Sequence, residues 1–179
     1  MITLTGFTDE ALATFPAQVR MASRAGLTHV ELRRIGMRPI LDASPTAVDA
    51  AAEALAGHGV RGSCIATGLG KAPVDAPMGA LVDGLERAAA LAHRFDTPFV
   101  RVFSFHTTEH EADRPRVLSQ MAVLAEVART AGVTLLHENE KGVFGDTPQR
   151  CLELVEQTGG GVRLIFDPAN FVQCGVRPF

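Results

Sequence analysis

Basic residues are in slight deficit: 17 lysines and arginines face 20 aspartates and glutamates, leaving a formal net charge of −3 and a pI near 6.1. Such a chain has no overall positive field for gripping a phosphate backbone, and no nucleic-acid partner is expected. Cysteine is scarce. Cys64, Cys151 and Cys174 are odd in number and widely spaced, so they form neither a CxxC metal knuckle nor an even disulfide framework. A reducing, cytoplasmic setting is the expectation. Long apolar runs are missing too: nothing approaches the roughly eighteen residues a membrane helix needs. The opening MITLTGFTDE turns acidic where a signal peptide would need a basic start and a longer apolar stretch. No membrane partner is expected. What remains, 179 residues with 46% hydrophobic and 21% charged content, suits a single soluble globular domain with a real core.

Periodicity gives one unit repeatedly: a short β-rich run, a polar turn, then a helical stretch closed by a turn residue. Strands are expected over 2–7, 28–33, 61–67, 99–105, 133–140 and 162–167. Five helices fit between them. The first sets Leu12, Phe15, Val19 and Ala22 on one face and ends at Gly26, and the second opens with Ser44 as N-cap and Pro45 at the first helical position. The third covers roughly 78–93 and the fourth about 115–131. The fifth starts at Thr147-Pro148 and runs out at Gly159-Gly160-Gly161, a tract that precedes a strand and therefore reads as a helix exit, not a phosphate cradle.

Strict alternation implies parallel strands joined by right-handed crossovers, either in an open doubly wound sheet or in a closed barrel. No GxGxxG follows the first strand. Gly68-Leu69-Gly70-Lys71 fails as a P-loop, because Ile65 stands where the first glycine belongs and Ala72 where Ser or Thr belongs. The expectation is therefore α/β, a (β/α)8 TIM barrel of which this chain supplies six strands and five helices, since eight units usually take about 250 residues. Residues 1–179 then form one C-terminally incomplete barrel domain, and apolar edges left open would favour pairing with another copy of the chain, a homo-oligomer.

Active sites of such barrels sit at the C-terminal strand ends. Period two sends Glu31 and Arg33 inward from the second strand, and Arg101, sharing the parity of Phe103 and Phe105, falls inside as a partner for Glu31. The fifth strand abruptly delivers Glu138 and the sixth Asp167, two carboxylates at the same end of neighbouring strands. Two such anions in a partly dry pocket need a cation between them or a proton on one of them; alternatively, each simply caps the turn or helix that follows.

HENEKGVFGDTPQRCLELVE (137–156) and FDPANFVQCGVRPF (166–179) resemble sequences of the sugar phosphate isomerase/epimerase family, in the xylose-isomerase-like barrel superfamily. GFTDE, THVELR and SCIATGLGK resemble that family's first three strands, so the likeness spans essentially the whole chain. The resemblance implies that Glu138 is the first metal-binding glutamate, doubling as acid/base, and that Asp167 is the metal-binding aspartate. The family completes its site with a histidine and a second glutamate from later strands, and this sequence stops before either could appear. Several ketose epimerases of the superfamily, and its DNA-repair endonucleases, carry a histidine where this chain has Asn170; asparagine hydrogen-bonds a hydroxyl but does not exchange a proton near neutrality.

The expected activity is isomerisation or epimerisation of a small sugar, sugar phosphate or polyol derivative, with a divalent ion (Mn, Mg, Co or Zn) stabilising an enediolate and Glu138 moving the proton. Glu31, Lys71, His106 and Asn170 are the candidate substrate-binding residues; Lys71 and His106 also suit ordinary solvated loops. His137 should face the helix layer as a structural residue. An inosose-type dehydratase on the same metal site, and a non-catalytic barrel remnant or assembly module, are the alternatives.

Overall fold

A computed structural model describes residues 2–179, which fall into two compact units, 2–67 with Ala90–Phe99, and Gly68–Ala89 with Val100–Phe179. The fold is α/β, a partial TIM barrel with five parallel strands, and each unit carries part of it.

In the first unit, a 3-10 turn (Thr8–Glu10) precedes α1 (Phe15–Arg24), β1 (His29–Leu32), a short antiparallel hairpin of β2 (Arg34–Ile35) and β3 (Arg38–Pro39), a second 3-10 turn (Ile40–Asp42), α2 (Pro45–Gly57) and β4 (Arg61–Ala66). β1 and β4 pair in parallel with a bulge between Val30 and Glu31. The α2 start follows the sequence signal: Ser44 accepts a hydrogen bond from the Ala47 amide, and Pro45 sits where no amide hydrogen is needed. Phe15, Val19 and Ala22 are buried on α1, whereas Leu12 lies outside the helix and is exposed.

The stretch expected as a first strand, 2–7, carries no strand assignment. Ile2 and Leu4 are exposed, and β-propensity expresses packing more than backbone preference, whereas Phe7 lies under the Arg33 guanidinium and Thr5 Oγ1 is 2.9 Å from Ser63 Oγ. The run is held instead by the Glu31 amide donating to the Gly6 carbonyl, and Asp9 and Glu10 take Arg33 in ion pairs of 2.9 and 3.1 Å.

α3 (Met78–Arg94) links the two stretches of chain, followed by β5 (Phe99–Val102), α4 (His110–Thr130), β6 (Thr134–Glu138), α5 (Pro148–Gln157), β7 (Val162–Ile165) and α6 (Pro168–Gln173). β6 and β7 pair in parallel, with Glu138 opposite Ile165. α4 begins five residues before the expected start and contains Pro115, and Glu111 and Asp113 in its first turn complement the helix dipole. α5 opens as expected, with Thr147 accepting from the Arg150 amide. α6 was not expected; Asp167 caps it, accepting from the Asn170 amide, with Pro168 next.

β5 stops at Val102, short of the expected 105, because Phe103 onward pairs with the loop after β4. The amides of Phe103, Phe105 and His106 donate to the carbonyls of Leu69, Gly70 and Ala72, each at 2.8 Å. Gly70 makes this ladder feasible. Its φ is +85°, and a Cβ there would stand 2.0 Å from the Phe103 carbonyl oxygen. Phe105, itself at a φ of 67°, then turns the chain so that its carbonyl accepts from the Phe144 amide.

Candidate functional site

Charged side chains of the second unit gather where β5, β6 and β7 end. Glu138 is the last residue of β6, and its side chain is only 14% exposed. Such a carboxylate needs a partner, and Arg101 on β5 supplies one: its Nη1 donates to Glu138 Oε2 at 2.9 Å, with the arginine side chain 8% exposed. Burial is the main influence on the Glu138 carboxyl and pushes its pKa up. Arg101 opposes that, and the charges of Glu140 and Asp167 push the same way as burial. The other oxygen, Oε1, takes no hydrogen bond from any described residue.

Two residues along β6's parity, Glu140 meets Lys71 with Nζ to Oε2 at 2.6 Å. The fully buried Phe103 ring underlies both cations, with Lys71 Nζ 4.2 Å and Arg101 Cζ 5.0 Å from its centroid, within the range of cation–π attraction. Lys71 reaches this position from the loop that Gly70 stitches to residues 103–106.

Asp167 is treated much like Glu138. Its Oδ1 accepts from the Asn170 amide at 2.9 Å, while Oδ2 accepts from no described residue. Its main chain is clamped by Asn139, whose Nδ2 donates to the Asp167 carbonyl at 2.9 Å and whose Oδ1 accepts from the Asp167 amide at 2.8 Å. Asn170 returns a hydrogen bond from its Nδ2 to the Asn139 carbonyl. Asn139 is 1% exposed, so its side chain acts as an internal brace between the ends of β6 and β7. Replacing it with alanine leaves the Asp167 amide and carbonyl without those partners. Chemical denaturation should show a loss of about 1–3 kcal/mol, the range for stranding buried polar groups; an unchanged midpoint would remove Asn139 from this role.

Of the other sequence candidates, Asn170 thus lies on the first turn of α6 beside Asp167. His106 is exposed, its Nδ1 3.4 Å from the Gly142 carbonyl and its backbone bridged to Pro73 and Val143. Glu31 is half-buried on β1 in the first unit. His137 is fully buried, as its strand parity predicts, with Nε2 2.9 Å from Ser104 Oγ; burial lowers its pKa to about 3 and keeps it neutral. Gly145 abuts the ring so closely that a Cβ would lie 2.3 Å from Cε1, and its amide donates to Ser104 Oγ. Cys151, buried against the Gly145 carbonyl, has its thiol pushed up to about 12.

Sequence reasoning did not find the Arg101–Glu138 pair, Asn139 or Glu140. A charge count at the strand ends carried the signal for the pairs, because two partly shielded carboxylates, one at the end of β6 and one two residues on, call for cations from a neighbouring strand or loop. Asn139 lies on the opposite parity to Glu138, which drew attention away from it.

The sequence profile described as "Xylose isomerase-like TIM barrel" matches residues 19–176. The chain belongs to this family. No curated protein sequence matches it significantly. Among solved structures, the barrel resembles a probable 3-DHS dehydratase, AsbF, of Bacillus anthracis (TM-score 0.83, 17% identity, 99% of this chain and 67% of that one). It also resembles a xylose isomerase-like TIM barrel protein from Mycobacterium smegmatis in complex with magnesium (0.74, 19%, 95% and 65%). A third is D-psicose 3-epimerase with D-tagatose from Clostridium cellulolyticum (0.69, 14%, 89% and 62%). At these identities the likeness is one of fold, and the chain spans about two thirds of each relative's length.

Membership of a family with magnesium-bound members raises the question of whether these residues suit a divalent ion. Among the described residues no cluster of three or more His, Cys, Asp or Glu is arranged as a complete ligand set. The donor chemistry nevertheless fits a hard cation: two carboxylates at adjoining strand ends, each with one oxygen held by the protein and one left over. No helix of the described residues is long and apolar enough to cross a membrane.

Proposed function

We propose that this chain carries one part of the active site of a divalent-metal-dependent isomerase or epimerase acting on a small sugar, sugar phosphate or polyol derivative. The observation that carries the reading is the pair of half-engaged carboxylates, Glu138 and Asp167, each tied through one oxygen and open at the other. Those two residues would hold the ion. When bound, a dication supplies positive charge where an oxygen of the reacting carbonyl becomes negative.

The chain's own groups account for the remaining work. Arg101 restrains Glu138 from one side, and the proton that this carboxylate takes from a carbon next to the carbonyl would go back to the neighbouring carbon in an isomerisation, whereas an epimerisation needs a proton returned to the same carbon from its opposite face. Burial raises its pKa in the metal-free protein. Lys71 and Asn170 offer donors to substrate oxygens, and Asn170 does not relay protons. A reaction needing only one mobile proton at carbon, the dehydration of a polyol ketone, is therefore the second reading that this residue favours.

Calorimetric titration of Mn²⁺ into the full 179-residue chain tests the metal reading. Binding is expected to be weak, since two ligands leave most positions to water. Glu138→Gln and Asp167→Asn should each weaken it by about tenfold or more, the scale of losing one charged ligand, while Cys151→Ser should leave it unchanged. Equal affinity in all four proteins would remove both carboxylates from the site.

A further inference from the structure

β7 stands at the end of the strand order and pairs only with β6 among the described residues, so its other edge presents unpaired backbone groups. The sheet face beside that edge is apolar. Leu164 is 38% and Phe166 53% exposed, and both border one cleft with Leu152 of α5 and Pro178. Large apolar side chains gathered at an open edge mark an interaction surface. By strand parity Arg163, Ile165 and Asp167 belong to the opposite face. Arg163 makes no ion pair among the described residues, and Asp167 Oδ2 accepts from none of them.

We propose that the β7 edge is a self-association surface, to which a second copy of this chain adds its own β7 antiparallel, centred on Ile165. The inference is independent of any catalytic role for the carboxylates. A two-copy assembly about an axis perpendicular to the sheet runs the strands antiparallel and keeps both helix layers on one side, so residues opposite each other share strand parity. Three such registers are centred within residues 164–166. Centring on Phe166 sets Pro168, which has no amide hydrogen, opposite the partner's Leu164. Centring on Leu164 sets Arg163 against the partner's Ile165 and Asp167 against the partner's Gly161. Centring on Ile165 sets Arg163 opposite the partner's Asp167 and Leu164 opposite the partner's Phe166, each twice by symmetry. Opposite charges and exposed apolar side chains are both matched in that register alone.

Sedimentation velocity on the full 179-residue chain should show a dimer. Arg163→Glu sets like charges opposite each other at both ends of the pairing and should weaken the dimer by about fivefold or more. An equal mixture of Arg163→Glu and Asp167→Arg restores both charge pairs and should recover the dimer that each variant loses by itself. Cross-linking reads the register without changing a charge. In a Cys174→Ser background, Ile165→Cys would stand opposite itself across the axis, within disulfide range, whereas Leu164→Cys would lie two residues out of register with its twin. Oxidised glutathione should therefore link the Ile165→Cys dimer at least about tenfold faster than the Leu164→Cys dimer. Should Asp167→Arg not fold, the cysteine pair decides. A wild type that stays monomeric at about 100 µM leaves the edge to a different partner and overturns the proposal. So does a dimer that Arg163→Glu leaves as tight, or one in which the two cysteine variants cross-link equally.

Discussion

Gly70→Ala should lower the stability of this protein by about 3–5 kcal/mol. The residue has a φ of +85°, where an L-side chain costs roughly 1–2 kcal/mol. The added Cβ would stand 2.0 Å from the carbonyl oxygen and 2.6 Å from the carbonyl carbon of Phe103. Neither is a flexible side-chain tip, so the backbone must part, and the Phe103-to-Leu69 and Phe105-to-Gly70 hydrogen bonds go with it at about 1 kcal/mol each. For a chain of this size the loss corresponds to a fall in melting temperature of roughly 6–20 °C. Gly68→Ala is the control, since nothing lies within 4 Å of a Cβ there. Thermal unfolding followed by circular dichroism should separate the two variants clearly. Co-melting of Gly70→Ala with the wild type would mean that the loop is not pinned to residues 103–106.

Arg101→Met should be comparably damaging, for an electrostatic reason. Removing one member of a shielded ion pair leaves the other charge uncompensated, at a cost of about 3–5 kcal/mol. The pH dependence tells this apart from lost packing. The Glu138 pKa is already raised by burial in the wild type and only partly restored by Arg101, so without the arginine it rises further. An acid whose folded-state pKa exceeds its unfolded value binds extra protons when folded. Its penalty is absent below the unfolded pKa, near 4.5, and grows as pH rises toward the folded pKa. The gap between variant and wild type should therefore widen from pH 4.5 upward in urea denaturation. Adding Glu138→Gln to Arg101→Met should recover part of the loss; no recovery, with a gap independent of pH, would assign the effect to packing alone.

Much of this architecture was legible because it is written in local signals. The Ser44-Pro45 and Thr147-Pro148 starts worked as read, and the family-like HENEK and FDPAN segments lie at the ends of adjoining strands. Asp167-Pro168 carries the same cap-and-proline signature, and the cap expected of its carboxylate as the alternative to a metal is present at the start of α6. The two readings do not compete, since a carboxylate has two oxygens and the cap uses one. Elements fixed by distant partners were harder to see. No local pattern distinguishes the run at 2–7 from a strand; its apolar Ile2 and Leu4 are exposed. The truncation of β5 depends on a loop some thirty residues earlier bending through Gly70, and the Asn139 brace depends on the main chain around Asp167.

The stitching of the loop after β4 to residues 103–106 also bears on how a ligand would be captured. A loop whose carbonyls already serve as acceptors for its own scaffold has little freedom left to lose, so under the proposed function Lys71, held against Glu140, would be in place before any ligand arrives. Association at this side of the site then resembles docking onto a fixed surface more than the closing of a lid. Its entropic cost falls on the incoming molecule and on the water it displaces, and not on the ordering of this segment of the protein.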